Sequence, residues 1–363
     1  RQRANGATMF DHLRTLTWTF DAGNGPIHTI SIYSEPRDTP TGTVYVPRRA
    51  AESGDEGLAC VDDVARAVVL ALEAYSDSHD ARHATLAREW LAFVRYMQLA
   101  DGRFTNFVLD TRGTRNLAGD TSYPGGAWWT ARALWSLAKA YRVLGDERAL
   151  AALERCPLPE NQTPPELKTE ALLAIVGIDL LRSAAPDGVK RAWRARVTVW
   201  CDRLVVAGAS LPYVPDVPGQ TRVSLWGYHQ LLALAAAGAE LQNDAWLNAA
   251  RRTVVNLARP VIAGGFYYAW PGEKANQCAY NITPLVQGLA ELYRATGDPA
   301  YKRDARAMAA WFSGANDART VMYDPATGRC LDGLTGTAVN HNCGAESAIE
   351  AGMAEIERRR LAE

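Results

Sequence analysis

The chain has 363 residues, of which 48% are hydrophobic and 22% charged, and its formal net charge is -1 at pH 7. This is the balance of a globular protein with a large core, and it gives no electrostatic reason to expect a nucleic acid or an anionic membrane as partner. The chain has no stretch of about 18 uninterrupted apolar residues, so no membrane-spanning helix is predicted. No secretory signal is recognised, and a cytoplasmic protein is expected, with a trimmed leader left open.

Cysteine spacing and motif content narrow the chemistry further. The six cysteines form no CxxC pair. Free thiols in a reducing compartment are therefore expected, rather than structural zinc or a disulfide framework. The chain contains no P-loop, no dinucleotide-binding glycine motif, no HExxH and no GxSxG. We predict a protein that uses neither a metal ion nor a cofactor.

The most regular feature is a series of six long apolar stretches with the 3.6-residue spacing of α-helices. They begin near Cys60, Ser122, Glu166, Ser224, Tyr280 and Asn342. Because they are apolar on nearly all sides, they are predicted to be buried inner helices. Each of the first five is followed by a more amphipathic stretch, which is predicted to be an outer helix. These outer helices are expected at 82–99, 146–155, 187–207, 244–259 and 299–313.

The N-terminal segment 8–20, TMFDHLRTLTWTF, is predicted to supply a sixth outer helix beside the last inner helix. This arrangement would close the six helical hairpins into a ring, and it is favoured over an open solenoid. Short extended segments are expected between helices, the last of them with a tight turn at Asp-Pro-Ala-Thr-Gly. They lie at 28–35, 101–110, 264–270 and 320–334. The predicted fold is all-α, a single domain over 1–363 with small β-hairpins on one rim.

Two consecutive acids, Asp62 and Asp63, lie in the first turn of the first inner helix. A single aspartate at such a place is commonly explained by helix capping or by the helix dipole. Neighbouring side chains on a helix point about 100° apart, so one of the two must face the interior of the ring. We interpret the pair as a candidate acid site and prefer Asp63 slightly over Asp62.

Glu346 opens the last inner helix, within AVNHNCGAESAIEAG. In a closed ring this helix neighbours the first one, so Glu346 is predicted to meet Asp62 and Asp63. Two carboxyl groups a few ångströms apart, one protonated and one ionised, are what cleavage of a glycosidic bond requires. The structural alternative for Glu346 is a capping box with the preceding backbone. Glu170 and Asp216 are weaker acid candidates.

Polar and aromatic side chains concentrate near the starts of the predicted inner helices. The chain has 11 Trp and 14 Tyr, whose flat faces and polar groups suit contact with sugar rings. Each has a structural explanation in a helical core, but together they predict a substrate-binding region. The candidates are His28, Tyr33, Arg103, Asn106, Tyr123, Trp128, Trp129, Trp226, Tyr228, His229, Tyr280, Asn281, Asp332, Asn340, His341 and Asn342.

Three segments, CVDDVARA, AWFSGANDARTVMYDPATGRCLDGL and VNHNCGAES, resemble uncharacterised glycosidase-like proteins that are often encoded beside sugar transferases. That group lies within the six-hairpin glycosidase superfamily, whose members are (α/α)6 toroids. The consecutive aspartates are also similar to those of endo-α-1,6-mannanases of this fold, where such a pair supplies nucleophile and acid/base. The usual pattern has Asn at the position of Val64, and often Leu and Gln at those of His341 and Cys343. These departures concern the sugar-binding subsite more than the carboxylates.

The resemblance and the acids together predict a glycoside hydrolase acting on an oligo- or polysaccharide. Asp63 and Glu346 are the leading acid/base candidates, and Asp62 is close behind. The 2-epimerases of the same fold work through paired histidines, which His229 and His341 could imitate, so a sugar epimerase or isomerase is one alternative. A polysaccharide lyase and a non-catalytic carbohydrate-binding protein are two others. We expect a monomer or a weak homodimer.

Overall fold

The structure is a computed structural model that describes residues 9–23, 25–49, 56–159, 166–220, 223–266 and 276–362. In chain order its helices are α1 (Asp11–Leu16), α2 (Val61–Ser78), α3 (Ala81–Tyr96), α4 (Ala127–Leu144), α5 (Glu147–Arg155), α6 (Leu167–Leu181), α7 (Asp187–Ala207), α8 (Gln230–Glu240), α9 (Asp244–Thr253), α10 (Arg259–Ala263), α11 (Ala279–Thr296), α12 (Pro299–Ala309) and α13 (Ala345–Arg360). Within the described ranges, no helix is long and apolar enough to cross a membrane.

Strands occur only as short antiparallel pairs in the described part of the chain. They are β1 (Thr17–Asp21), β2 (Pro26–Ile30), β3 (Tyr33–Thr39), β4 (Gly42–Arg48), β5 (Ala59–Cys60), β6 (Phe107–Val108), β7 (Tyr323–Asp324), β8 (Arg329–Cys330), β9 (Gly333–Thr335) and β10 (Ala338–Asn340). Each odd-numbered strand pairs with the even-numbered strand that follows it. The fold is therefore built mainly from helices, as the sequence predicted.

The described residues group into two compact units that alternate along the chain. The first is drawn from Arg1–Glu160, Tyr323–Asp332 and His341–Gly352, and the second from Asn161–Met322, Gly333–Asn340 and Met353–Glu363. The beginning of α13 thus belongs to the first unit and its end to the second. That 1–363 forms one catalytic domain stays a prediction.

In the first unit, α2 packs against α3 and α4, and α4 packs against α5. These are two of the predicted helical hairpins, and α2 and α4 are their inner members because most of their side chains are buried. The beginning of α13 lies directly beside α2. A Cβ atom added at Gly352 would come within 2.9 Å of the end of the Leu70 side chain, so the two helices are in close contact here. The prediction that the first and last inner helices are neighbours is confirmed.

In the second unit, α6 packs against α7 and α8, α8 packs against α9 and α11, and α11 packs against α12. These are three further predicted hairpins, with α6, α8 and α11 as the buried members. The predicted outer helix 244–259 is less regular than expected. A π-helical turn, Val254–Ala258, joins α9 to α10. Pro260 has no backbone N–H and clashes with the carbonyl four residues earlier, which explains the widened turn.

The N-terminal segment differs from the single outer helix that was predicted over 8–20. Only α1 is helical, and the chain then enters β1, which pairs with β2. Residue 8 lies outside the described residues. Residues 17–20 alternate Thr with Trp and Phe, a composition that favours a strand over a helix. The short α1 still contacts the chain just before α13, where His12 Nε2 donates a hydrogen bond of 2.8 Å to the Cys343 carbonyl.

The predicted extended segments are only partly strands. The segment 28–35 covers the end of β2 and the start of β3, whereas only β6 is a strand within 101–110. Residues 264–266 do not form a strand, and 267–270 lie outside the described residues. The turn predicted within 320–334 is confirmed, because it joins β7 to β8. The sequence analysis missed the longest hairpin, β3 with β4, although Thr-Pro-Thr-Gly between the two strands is a turn signal.

Candidate active site

Arg66 lies one turn into α2, is fully buried, and contacts carboxylates from two helices. Its Nη2 lies 2.7 Å from Asp63 Oδ1 and 3.0 Å from Glu346 Oε2, and its Nη1 lies 2.8 Å from Glu350 Oε1. Helical spacing explains the geometry, because Asp63 precedes Arg66 by three residues and the two glutamates are one turn apart on α13. The predicted meeting of Asp63 with Glu346 is therefore present. Since both oxygens contact one nitrogen, at 2.7 Å and 3.0 Å, they are at most about 5.7 Å apart.

Asp62 faces a second buried guanidinium, that of Arg132 on α4. Asp62 Oδ1 lies 3.0 Å from Arg132 Nε and 3.4 Å from Arg66 Nε. Its other oxygen accepts a hydrogen bond of 3.3 Å from the indole N–H of Trp128, and its backbone N–H donates to Asn106 Oδ1 at 3.2 Å. The Arg132 guanidinium also lies 4.9 Å from the centroid of the Trp128 ring. Two guanidinium groups and an indole N–H thus surround the Asp62 side chain.

Burial changes the acidity of the groups that surround Arg66. Loss of hydration raises the pKa of Asp63 from 3.8 to about 8; Arg66 opposes this shift, and Glu346 and Asp62 add to it. Burial also raises the pKa of Glu350 to about 7, again against the effect of Arg66. Burial therefore favours the protonated form of Asp63. Its second oxygen, Oδ2, has no hydrogen-bond partner among the described residues.

The four acids of this cluster differ in how far solvent reaches them. The Glu346 side chain is 31% exposed and that of Asp62 is 12% exposed, whereas Asp63 and Glu350 are 4% and 1% exposed. Glu346 is therefore the acid that a ligand reaches most easily.

The sequence analysis missed Arg66, Arg132 and Glu350. Each is a charged residue with apolar residues on both sides of it along its helix, and that contrast is a usable signal for a buried polar site.

The start of α13 is held in place by Asp332. Asp332 Oδ1 accepts a hydrogen bond of 2.7 Å from the backbone N–H of Gly344, and the Asp332 N–H donates to the Asn342 carbonyl at 3.0 Å. Burial is the main cause that raises the pKa of Asp332 to about 6. The Tyr45 hydroxyl donates to the His341 carbonyl at 3.4 Å. These contacts fix the backbone that positions Glu346.

Two of the predicted sugar-binding residues of the first unit have packing roles. Trp129 is buried, and its indole N–H donates to the Phe104 carbonyl at 3.1 Å. Tyr33 packs against a small core cluster that contains Phe107. Trp129 is buried in the core, so its position does not fit the predicted contact with substrate.

Three other predicted residues of the first unit lie on its surface. Tyr123 is exposed and packs edge-on against Trp129, with ring centroids 5.0 Å apart. Arg103 forms an exposed ion pair of 2.6 Å with Asp101. His28 Nδ1 hydrogen-bonds the Thr19 hydroxyl at 3.2 Å. None of these three contacts involves a residue of the Arg66 cluster.

The predicted residues of the second unit divide in the same way. Tyr228 is fully buried, and its hydroxyl donates to the Val214 carbonyl at 2.6 Å. His229 is 1% exposed, so neither side chain fits a direct contact with substrate. Trp226 is exposed, and Tyr280 packs edge-on against it.

The remaining candidates of this unit hold loops and helices in place. Asn281 donates to the Ser224 carbonyl at 3.2 Å, and Glu170 pairs with Arg203 at 2.6 Å. Asn340 lies in β10 opposite Gly333 of β9.

Neither the acid cluster nor the cysteines are arranged around a metal. Among the described residues, no group of three or more His, Cys, Asp or Glu side chains is placed to hold a metal ion. All six cysteines are free thiols. In the acid cluster, the positive charge next to the carboxyl groups comes from the guanidinium groups of Arg66 and Arg132.

Comparison with known proteins finds similar solved structures but no matching sequence family or curated protein. No sequence model of a protein family matches the chain, and no curated protein matches it in sequence. Cellobiose 2-epimerase from Spirochaeta thermophila matches with a TM-score of 0.67 and 15% identity, over 99% of this chain and 96% of that one. An α-1,6-mannanase from Salegentibacter sp. matches with a TM-score of 0.62 and 10% identity, over 98% of both chains. A polysaccharide lyase matches with a TM-score of 0.62 and 11% identity, over 100% of this chain and 52% of that one.

These similarities establish the fold. The chain has the fold of these structures, an (α/α)6 arrangement of helices, and this confirms the predicted fold class. A further solved structure is an inactive variant of the Salegentibacter mannanase in which two consecutive aspartates are replaced by asparagine. The narrower resemblance to glycosidase-like proteins encoded beside sugar transferases stays a prediction.

Proposed function

We propose that this protein is a glycoside hydrolase that cleaves an oligo- or polysaccharide, with the cluster around Arg66 as its catalytic site. The observation that carries the proposal is the pair formed by Asp63 and Glu346. Both carboxyl groups contact Arg66 Nη2, but one is buried with a raised pKa and the other is partly exposed. Two carboxyl groups whose environments separate their acidities are the arrangement that glycosidic cleavage needs.

The roles follow from the two environments. Asp63, protonated at neutral pH, donates its proton to the glycosidic oxygen as the bond to the leaving sugar breaks. Glu346, the more accessible carboxylate, attacks the anomeric carbon and forms a glycosyl ester. A water molecule then gives a proton to the Asp63 carboxylate and releases the sugar, which restores both groups.

The geometry around Arg66 supports retention of anomeric configuration. Retaining glycosidases hold their carboxyl groups roughly 5–5.5 Å apart, and inverting ones roughly 6.5–9.5 Å apart. The contacts of Asp63 and Glu346 with one nitrogen limit their bound oxygens to about 5.7 Å. Asp62 is assigned a supporting role, because its contacts with Arg132 and Trp128 orient an indole next to the acids.

The fold alone is compatible with other carbohydrate chemistry, because structures named as an epimerase and a lyase share it. The epimerase alternative depended on His229 and His341. His229 is 1% exposed, which does not suit a base that must reach a sugar carbon. The burial of His229 therefore weakens the epimerase alternative.

The test is a screen of the purified protein against α- and β-linked glucans, mannans and arabinans. α-1,6-Mannotriose belongs in the screen because the inactive mannanase variant was solved in complex with it. Mass spectrometry reports chain length, and NMR of the anomeric protons reports configuration. We expect shorter saccharides that first appear with retained configuration. Products of unchanged length with an altered sugar would indicate an epimerase, and unsaturated products that absorb in the ultraviolet would indicate a lyase.

Variants of the acids test the assignment of roles. Asp63→Asn should lower kcat by about 10²–10⁴-fold, the contribution typical of general acid–base catalysis, and Glu346→Gln, which removes the nucleophile, should lower it at least as much. Asp304→Asn is a matched control, since Asp304 forms a surface ion pair with Arg259 in the second unit. Full activity in both acid variants would exclude the site. A larger loss in Asp62→Asn than in Glu346→Gln would make Asp62 the nucleophile.

A further inference from the structure

Asn106 lies directly before β6 and is hydrogen-bonded to the first turn of α2. Its carbonyl accepts a hydrogen bond of 2.8 Å from the backbone N–H of Val61, and its Oδ1 accepts one of 3.2 Å from that of Asp62. The first N–H groups of a helix have no partner within the helix, and α2 begins after Cys60, whose sulfur is only a weak acceptor. Asn106 therefore caps α2 in place of a polar residue at the start of the helix itself.

Asn106 also holds the loop that leads into α4. Its Nδ2 donates a hydrogen bond of 3.0 Å to the Thr121 carbonyl, and its backbone N–H donates one of 3.2 Å to the Ser122 hydroxyl. The helix that follows this loop carries the indole and the guanidinium group that contact the Asp62 side chain. One asparagine thus joins the backbone of Asp62 to the start of the helix whose side chains surround it.

Burial makes the hydrogen bonds of Asn106 costly to break. Asn106 is 5% exposed and Ser122 is fully buried, so water does not readily replace a lost partner. Both ends of the Asn106 amide bind backbone groups of the chain. This position does not fit the predicted contact of Asn106 with substrate, and it indicates a role in holding the first turn of α2.

We propose that Asn106 is a positioning residue that fixes the first turn of α2, and with it the carboxyl group of Asp63, relative to the glycosidic bond. Asn106 acts through the backbone of Asp62, the residue next to Asp63, and does not touch the substrate. The inference rests on the proposed function, because it takes Asp63 as the general acid. Glu346 lies on another helix, α13, so a displaced first turn impairs proton donation more than nucleophilic attack.

The test compares a phenyl glycoside and a 2,4-dinitrophenyl glycoside of the saccharide selected in the screen. The dinitrophenolate leaves without protonation, whereas phenolate needs the acid, and kcat/KM reports the steps up to cleavage of this bond. Asn106→Ala should lower kcat/KM by about 10–100-fold for the phenyl glycoside, as for a misplaced catalytic group, and by at most about 3-fold for the dinitrophenyl glycoside. Asp63→Asn should show the same dependence on the leaving group, with a larger loss for the phenyl glycoside.

Asn316→Ala is the matched control, because Asn316 is also a buried asparagine that binds backbone groups, but it lies in the second unit. Its Nδ2 donates to the carbonyls of Trp311 and Thr320, and its Oδ1 accepts from the Thr320 N–H. This variant should leave the ratio of the two kcat/KM values unchanged. Hydrogen exchange followed by mass spectrometry is a second measurement. Amides in the first turn of α2 should exchange faster in Asn106→Ala and not in Asn316→Ala.

Asn106→Ser, whose hydroxyl is too short to reach both partners, takes the place of Asn106→Ala if the latter does not fold. An equal loss on both glycosides, or unchanged exchange in the first turn of α2, would overturn the inference. If the wild type cleaves no glycan, the proposed function fails, and the exchange measurement decides whether Asn106 fixes this turn. If glycans are cleaved and Asn106→Ala keeps full kcat/KM on the phenyl glycoside, the proposed function stands and the inference fails.

Discussion

Replacing Asp63 by asparagine separates the stability of the acid cluster from its chemistry. The amide is neutral, has nearly the same size as the carboxyl group, and can still accept a hydrogen bond from Arg66. Burial raises the pKa of Asp63 from 3.8 to about 8, so the folded state binds a proton that the unfolded chain has released. The stability from this group is therefore complete below about pH 4 and is lost as the pH rises towards 8.

The magnitude follows from the size of the pKa shift of Asp63. The shift is about four units, and each unit corresponds to about 1.36 kcal/mol, which gives an upper bound of about 5–6 kcal/mol. Relaxation around a buried ion reduces such costs, so the expected loss of unfolding free energy between pH 4 and pH 8 is about 2–3 kcal/mol. Asparagine does not titrate, so the variant should lack this loss. Glu350, whose pKa is also raised, should leave a smaller pH dependence in the variant.

Urea unfolding followed by circular dichroism at pH 5 to 8.5 measures this effect. At pH 8 the Asp63→Asn protein should be more stable than the wild type, and at pH 5 the two should be close. Asp304→Asn, which changes a surface ion pair, should keep the wild-type pH dependence within about 1 kcal/mol. If Asp63→Asn is less stable than the wild type at pH 8, and the slope with pH is unchanged, then Asp63 is ionised in the folded protein and the reasoning is refuted.

Three further predictions concern other parts of the molecule. Glu346→Gln should lose turnover and keep the circular dichroism and unfolding midpoint of the wild type, because its side chain is partly exposed and the amide can still contact Arg66. Gly288→Ala should destabilise the protein by about 1–3 kcal/mol in urea, since the new Cβ would lie 2.6 Å from a leucine on α8. Gly188→Ala has open space and should stabilise it by about 0.5–1 kcal/mol. Iodoacetamide should modify Cys278 first in the native protein, because the other five thiols are buried, and mass spectrometry of the peptides would show this order.

Local periodicity was enough to place most of the inner helices. The starts predicted near Cys60, Glu166 and Tyr280 lie within one residue of the observed ones, because helical spacing is a local property of the sequence. The starts predicted near Ser122 and Ser224 are five and six residues early. In the first case the next residues, Tyr-Pro-Gly-Gly, form a turn, and in the second a loop that contains Trp226 precedes the helix.

Ring closure, rather than any motif, predicted the meeting of the aspartates with Glu346. The buried arginine between them was not predicted, because its two glutamate partners lie 280 or more residues away in the sequence and on another helix. Burial was the other weakness of the sequence analysis. Trp129 and Tyr228 lie near helix starts like the exposed Trp226, but their side chains point into the core. Composition near a helix start does not determine which face a side chain occupies.

The most direct test of the hydrolase assignment is a reaction in H₂¹⁸O with a saccharide selected in the screen. Mass spectrometry of the products reports chain length and the label together. Hydrolysis at the Arg66 cluster predicts shorter saccharides with one ¹⁸O at the new reducing end, formed by the wild type and lost in Asp63→Asn and Glu346→Gln. Products of unchanged length, or label incorporated equally by the wild type and both variants, would contradict the account.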